Sequence, residues 1–300
     1  MQTPRPAAAR SRWLIWDPHE KLWTWTTVGA VRRVFGDNPL GRGILGAVVT
    51  ADSVLLLTRV LARRVQLVAA GEGRAPSGTD PRPRVLYVDC GVHKEGRQIR
   101  AVHAWLGDRY DLTIVGIEAG SEHVEDARSA LADVGGVELR HVALVGPDHE
   151  GETVRLYTSG GLGRGKGDSL FAARGSRHED VPAARLSRIL VEGGYLDDDT
   201  VVVLRMNIEG AEQYVIADML DSGLDARVDG YYGMWDDVAK IDPDADRAFR
   251  AVLRRSGIVS VTFNDRDMPH RLRRFAIRTD LETTVRRGWA RRRRPPSPAR

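Results

Sequence analysis

RVLYVDCGVHKEGRQI, residues 84 to 99, is an apolar run of β-type residues that stops at Asp89-Cys90-Gly91 and leads straight into a helix-like segment. A strand that ends in an acid-x-Gly turn and enters a helix is how doubly wound α/β proteins build the floor of a nucleotide or nucleoside pocket. Outward from this stretch, the hydrophobic period keeps switching between that of a strand and that of a helix. Strands are expected at 84 to 90, 112 to 118, 137 to 145 and 200 to 206, with helices at about 95 to 107, 121 to 133, 186 to 193 and 210 to 222. Shorter strands are expected at 153 to 158 and 181 to 186, then at 227 to 234, 258 to 263 and 272 to 279, with a helix at 243 to 256. The alternation predicts an α/β domain with a mostly parallel sheet and helices on both faces.

Charge is concentrated at one end. The formal charge is +4, but residues 286 to 300 hold seven arginines and no acid, so residues 1 to 285 carry −3. A mildly acidic body argues against a specific nucleic-acid partner, because a phosphate-binding surface needs clustered cations. The tail RRGWARRRRPPSPAR has little to bury and reads as disordered. Cys90 is the one cysteine, which excludes an intrachain disulfide and fits a reducing cytoplasm.

Ahead of the domain, residues 1 to 40 read as an irregular arm carrying four of the seven tryptophans, Trp13, Trp16, Trp23 and Trp25. Indoles bury much area at low entropic cost, so the arm is expected to pack on the domain or on a second copy of the chain, making a homo-oligomer; an aromatic platform for a sugar is the alternative. Residues 41 to 72 read as a docking helix, with an amphipathic membrane-surface helix as the alternative. Its apolar run, Ile44 to Leu57, is interrupted by Thr50, Asp52 and Ser53 and falls short of the ~20 residues of a bilayer span, so no transmembrane segment is expected. With no secretory signal pattern at the N-terminus, a soluble cytoplasmic protein is expected. Residues 73 to 83 are rich in Gly, Pro and polar residues and read as a linker, leaving 84 to 285 as the main domain.

The candidate chemistry lies at strand ends. Gly91 lets the backbone approach a ligand, and Asp89 can accept hydrogen bonds from a ligand ammonium or from the turn. Glu118, 29 residues beyond Asp89 at the end of the adjacent strand, is placed to hold a ribose diol. Gly91 to Gly96 is not G-x-G-x-x-G, which argues against NAD. Gly160 to Lys166 satisfies G-x-x-x-x-G-K, but Gly167 follows where a P-loop has Ser or Thr, so the segment reads as a glycine-hinged lid. A third strand, VVVLRM, runs into Asn207, Glu209-Gly210 and Glu212, the last at a helix start that favours a carboxylate; both acids also read as helix caps. His93 has a tuneable pKa and reads equally as a local backbone contact. His141, His149 and His178 are scattered, and no metal site is expected.

In order and spacing, VLYVDCGVHKEG, VGIEAGSEHVEDARSAL, HVALVGPDHEGETVRLY, VPAARLSRIL and VVVLRMNIEGAEQYVIADML resemble the pattern of FkbM-type S-adenosylmethionine-dependent methyltransferases, over roughly residues 84 to 235. The resemblance implies a class I methyltransferase fold, a Rossmann-like seven-stranded sheet with one antiparallel strand. It also implies S-adenosylmethionine as cofactor and O-methylation of a sugar, glycan or natural-product hydroxyl. Carried over by position, Asp89 and Gly91 line the methionine part, Glu118 and Ala119 the ribose, and Val142 and Ala143 the adenine edge. Asn207, Glu209 and Glu212 face the sulfonium and the acceptor, with His93 as a further candidate base. Three positions depart from the pattern: Asn207 replaces a strand-end acid, Glu95 a glycine, and Ala119 a proline. Asn207 cannot take a proton at neutral pH, which keeps a catalytically silent binding or assembly domain as the alternative.

Overall fold

The computed structural model describes residues 25–36, 38–71, 82–158, 168–171, 177–233, 235, 237–261 and 270–293. Two helices, α1 (Trp25–Phe35) and α2 (Pro39–Ala69), precede β1 (Arg84–Cys90), α3 (Arg97–Leu106), β2 (Asp111–Glu118) and α4 (Ser121–Ala130). Four short strands follow: β3 (Val137–His141), β4 (Ala143–Leu144), β5 (Thr153–Thr158) and β6 (Arg177–Ala184). Then come α5 (Leu186–Glu192), β7 (Val201–Met206), α6 (Glu212–Asp221), a 3₁₀ turn at Leu224–Arg227 and β8 (Val228–Tyr232). The chain ends with α7 (Val238–Ile241), α8 (Pro243–Ser256), β9 (Ser260–Val261) and α9 (His270–Arg293).

Six strands form one sheet in the order β3-β2-β1-β7-β8-β9, and every pairing in it is parallel. Strand order reverses between β1 and β7, which makes the carboxyl ends of those two strands the switch point of the sheet. A separate three-stranded patch, β4-β6-β5, packs beside it.

The central strands are apolar throughout because both faces are covered. Val85 and Tyr87 of β1 pack with Val201 and Val203 of β7 against α3, α4 and α9. Leu86, Val88 and Cys90 pack with Val202, Leu204 and Met206 against α5, α6 and α8. By this alternation Asp89 and Arg205 fall on the α3 and α9 side. Helix ends follow local chemistry: Asp242 caps α8 by accepting from Asp244 N and Ala245 N, Pro243 opens the helix, and Gly257 ends it in the left-handed region.

Several expectations change. The sheet has six strands rather than seven and no antiparallel member among the described residues. Residues 272 to 279, expected as the last strand, lie in α9. Its buried face is Ala276, Asp280, Leu281, Thr283, Thr284 and Val285, spaced as on a helix but half polar, so the hydrophobic pattern does not reveal it. α9 packs on β7, β8 and α2. It continues to Arg293, so residues 286 to 293 are helical rather than part of a disordered tail. Residues 25 to 35, read as irregular, form α1. α2 is long and apolar enough to cross a membrane by length and composition. Trp13, Trp16, Trp23, most of the linker, the G-x-x-x-x-G-K segment and residues 294 to 300 lie outside the described residues.

Candidate functional site

The first turn is built around Gly91, whose φ of +86° belongs to glycine. Its amide donates to Ile117 O at 2.8 Å, and a Cβ there would stand 2.3 Å from Asn207 O. Asn207 N in turn donates to Cys90 O at 3.0 Å. Gly91 is therefore required by the close approach of the turn after β1 to the end of β7. Glu95 is exposed and pairs with Arg97, so its departure from the glycine pattern falls outside this contact.

Glu118 closes the turn from the neighbouring strand. One carboxylate oxygen accepts from His93 N at 2.9 Å and the other from Gly120 N at 3.0 Å. Each oxygen keeps a second lone pair. Beyond it, Val142 N donates to Glu118 O at 3.0 Å, and the His141 ring nitrogen contacts Ala119 O at 3.0 Å. The Val142 and Ala143 side chains are buried in the apolar clusters; Val142 meets the Glu118 loop through its backbone amide, and Ala119 of that loop packs on the cluster that holds Ala143.

Asp89 is completely buried and register-paired with Arg205 across the switch point. Arg205 Nη1 donates to Asp89 Oδ1 at 2.5 Å and to Gly91 O at 3.3 Å. Asp89 Oδ2 is buried without a hydrogen-bond partner among the described residues. Burial pushes the Asp89 carboxyl up against the opposing pull of Arg205. Burial opposes charge on Arg205 as well, but Asp89 and Tyr87 hold its pKa above the usual arginine value. Cys90 lies beneath: burial, reinforced by Asp89, drives its thiol well up, which rules it out as a nucleophile at neutral pH.

A histidine pair sits over Glu118. The His93 and His123 rings stack with centroids 5.7 Å apart, and His123 Nε2 lies 3.3 Å from Asp168 Oδ2. Burial, then the neighbouring His123, lowers the pKa of His93, while the hydrogen bond to Asp168 raises that of His123. The two rings are thus split into a neutral member and a more basic one. His93 Nε2 is buried without a hydrogen-bond partner among the described residues, and His93 is held at a φ of +59°, uncommon for a side-chain-bearing residue.

On the third loop, the buried Glu212 carboxylate accepts from Ile208 N and Gly210 N, each at 2.8 Å. Burial pushes its pKa up to about 7 in spite of those amides. Glu209 has a φ of +53°, and its carbonyl accepts from Ser169 Oγ at 2.9 Å. Glu212 is a clamp on the loop before α6 rather than a cap of that helix, which has no side-chain cap hydrogen bond.

These contacts bring Asp89, Gly91, His93, Glu118 and Asn207 together at the carboxyl ends of β1, β2 and β7, with Glu209 and Glu212 on the adjoining loop. Sequence reading misses Arg205, His123 and Asp168. A single arginine inside VVVLRM was the available signal for the first, since a charge in a buried strand needs a partner. His123 and Asp168 come together only through the fold. A depression of about 560 Å³ lined by Arg82, Arg84, His103 and Tyr110 lies at the opposite edge of β1 and β2. None of the network residues lines it, and doubly wound sheets bind ligands at the carboxyl ends of the strands. Among the described residues, no group of three or more His, Cys, Asp or Glu is arranged to hold a metal ion. Comparison of the chain with protein-family models, with curated proteins and with solved structures gives no match.

Proposed function

We propose that the chain is a class I methyltransferase, similar to the FkbM type, that moves a methyl group from S-adenosylmethionine to a hydroxyl of a sugar, glycan or natural product. The observation that carries this reading is the Asp89–Arg205 pair at the switch point, with Asp89 Oδ2 left without a hydrogen-bond partner among the described residues. A carboxylate and a guanidinium side by side complement the ammonium and carboxylate of an amino acid. Glu118 is close enough to influence Asp89 electrostatically and keeps lone pairs for two vicinal hydroxyls.

Bound S-adenosylmethionine supplies an electrophilic methyl group on a sulfonium. The protein's residues do the rest. Asp89 accepts from the ammonium, Arg205 holds the carboxylate, and Glu118 holds the ribose diol, with the Val142-Ala143 backbone toward the adenine. The Glu212 clamp sets the path of Asn207 to Gly210 toward the acceptor. Deprotonation of the acceptor hydroxyl is assigned to His93 Nε2, with the Glu209 carboxylate as the other candidate, because Asn207 is not basic and Glu212 is occupied by two amides. That same occupation favours a second reading, a methyltransferase-like domain that binds the cofactor without turnover.

Labelled methyl transfer to a panel of polyhydroxyl acceptors separates the two. The rate is expected to rise with pH through a pKa below the ordinary histidine value of 6.5, as neutral His93 accumulates. His93→Asn should remove that acid limb and lower kcat by about a hundredfold or more. Cofactor binding with no transfer to any acceptor favours the silent domain, and a folded protein that binds no cofactor sinks both.

A further inference from the structure

α2 is 31 residues long, and only its C-terminal half is engaged by the domain. Val60 and Leu67 are buried, Leu56 packs on the core, and Arg63 pairs with Asp280 of α9 at 2.5 Å. In the N-terminal half, among the described residues of 39 to 55, Gly41 alone is buried, where Phe35 and Gly36 of the α1 hairpin cross it. That leaves roughly 25 Å of helix outside the core. It is not a polar spacer: the most apolar 18-residue window of α2 has a mean hydropathy of 1.8 and is 6% buried. Val54 (57% exposed), Val65 (67%) and Val68 (60%) face solvent, and so do Val34, Leu40, Leu55 and Leu61. Exposure on this scale marks an interaction surface.

Charge identifies the partner. Residues 25 to 71 carry six arginines, at 32, 33, 42, 59, 63 and 64, against two aspartates, at 37 and 52. α9, packed on α2, carries nine arginines against Asp280 and Glu282. Some of these are neutralised locally, Arg278 by Glu282 and Arg291 and Arg292 by Asp229, but the surplus remains strongly positive. Two copies of such an arm would repel each other, whereas an anionic bilayer satisfies both the apolar side chains and the arginines. The geometry points to the α1–α2 arm as a monotopic membrane anchor that lies in one leaflet of an anionic bilayer and holds the α/β domain at the lipid surface. Asp52 in mid-helix and the docking of Val60, Arg63 and Leu67 on the domain favour lying in the leaflet over crossing it.

This inference does not depend on the methyltransferase reading, and its test is independent of cofactor. Full-length protein is floated with phosphatidylcholine vesicles with and without phosphatidylglycerol, at low and high salt. Flotation with the anionic vesicles is expected, weakened by salt. Arg33→Glu with Arg42→Glu should weaken it about tenfold or more. Val54→Asp with Leu55→Asp should abolish it with unchanged circular dichroism, and alkaline carbonate should strip the wild type from the vesicles. Wild type left unbound by anionic vesicles overturns the proposal. So does retention through carbonate, which means a spanning helix, or a lipid-indifferent dimer that Val54→Asp with Leu55→Asp dissociates. Should the aspartate pair fail to fold, the exposed Arg33 and Arg42 pair still decides, because charge reversal there disturbs no packed group.

Discussion

At the scale of single residues, the site is governed by what happens to charges taken out of water. Asp89 and Arg205 survive burial because each answers the other, and removing one leaves the second stranded. Asp89→Ala is expected to cost about 3–5 kcal/mol in urea denaturation, whereas Asp89→Leu with Arg205→Met should cost far less, since no buried charge remains. Equal losses in the single and double variants would show that the pair is not coupled. Glu212 responds to pH in the opposite sense from a salt-bridged acid. Its folded pKa of about 7 lies above the ordinary 4.5, so between those values the folded state binds more protons, and stability falls as pH rises through the window. The loss amounts to at most about 3 kcal/mol. Glu212→Gln cannot accept from both amides and should be less stable by about 1–3 kcal/mol near pH 5. Because the glutamine does not ionise, its deficit should shrink or reverse by pH 8. A deficit that grows with pH contradicts this.

At the scale of elements, α9 stands where a last strand was expected, and instead of extending the sheet it covers it at β7 and β8 and also carries α2. The junction is a buried polar knot in which Asp280 receives Arg63 Nη1 at 2.5 Å and Tyr232 OH at 2.8 Å, with Thr284 Oγ1 2.9 Å from the tyrosine oxygen. Asp280→Ala should destabilise by about 3–5 kcal/mol and loosen α2, read as faster amide exchange across residues 56 to 67. Unchanged exchange there would mean that α2 docks through Val60 and Leu67 alone. The knot also shows why α9 was illegible. RLRRFAIRTDLETTVRR offers few apolar residues, and half of the face it buries is Asp and Thr, whose burial makes sense only once Tyr232 and Arg63 are opposite. By contrast β1, β2 and β7 were legible because strands covered on both faces must be apolar throughout, and α8 because Asp242-Pro243 and Gly257 are local start and stop signals. Of the site, Asp89, Gly91, Glu118 and Glu212 could be found as acids and glycines at strand ends. Arg205 needed the β1–β7 register, and the His93–His123–Asp168 contact needed α4 and the segment before β6 to meet.

At the scale of the whole molecule, a Rossmann-like α/β sheet sets the buried Asp89–Arg205 pair at the reversal of strand order between β1 and β7. An apolar, arginine-flanked arm stands on the covering helix α9. The central functional claim is that this switch point takes S-adenosylmethionine through Asp89, Arg205 and Glu118. Calorimetric titration of the full-length protein with S-adenosylmethionine tests it most directly, with Glu118→Gln alongside as a folded control. The glutamine keeps one acceptor oxygen but loses the charge that strengthens hydrogen bonds to a diol, worth about 1.5–3 kcal/mol. Saturable one-site binding by the wild type is expected, weakened about tenfold to a hundredfold in Glu118→Gln, whose lost amide contact lowers its melting temperature but leaves it folded by circular dichroism at the titration temperature. No heat of binding from folded wild type, or equal affinity in the two proteins, contradicts the account.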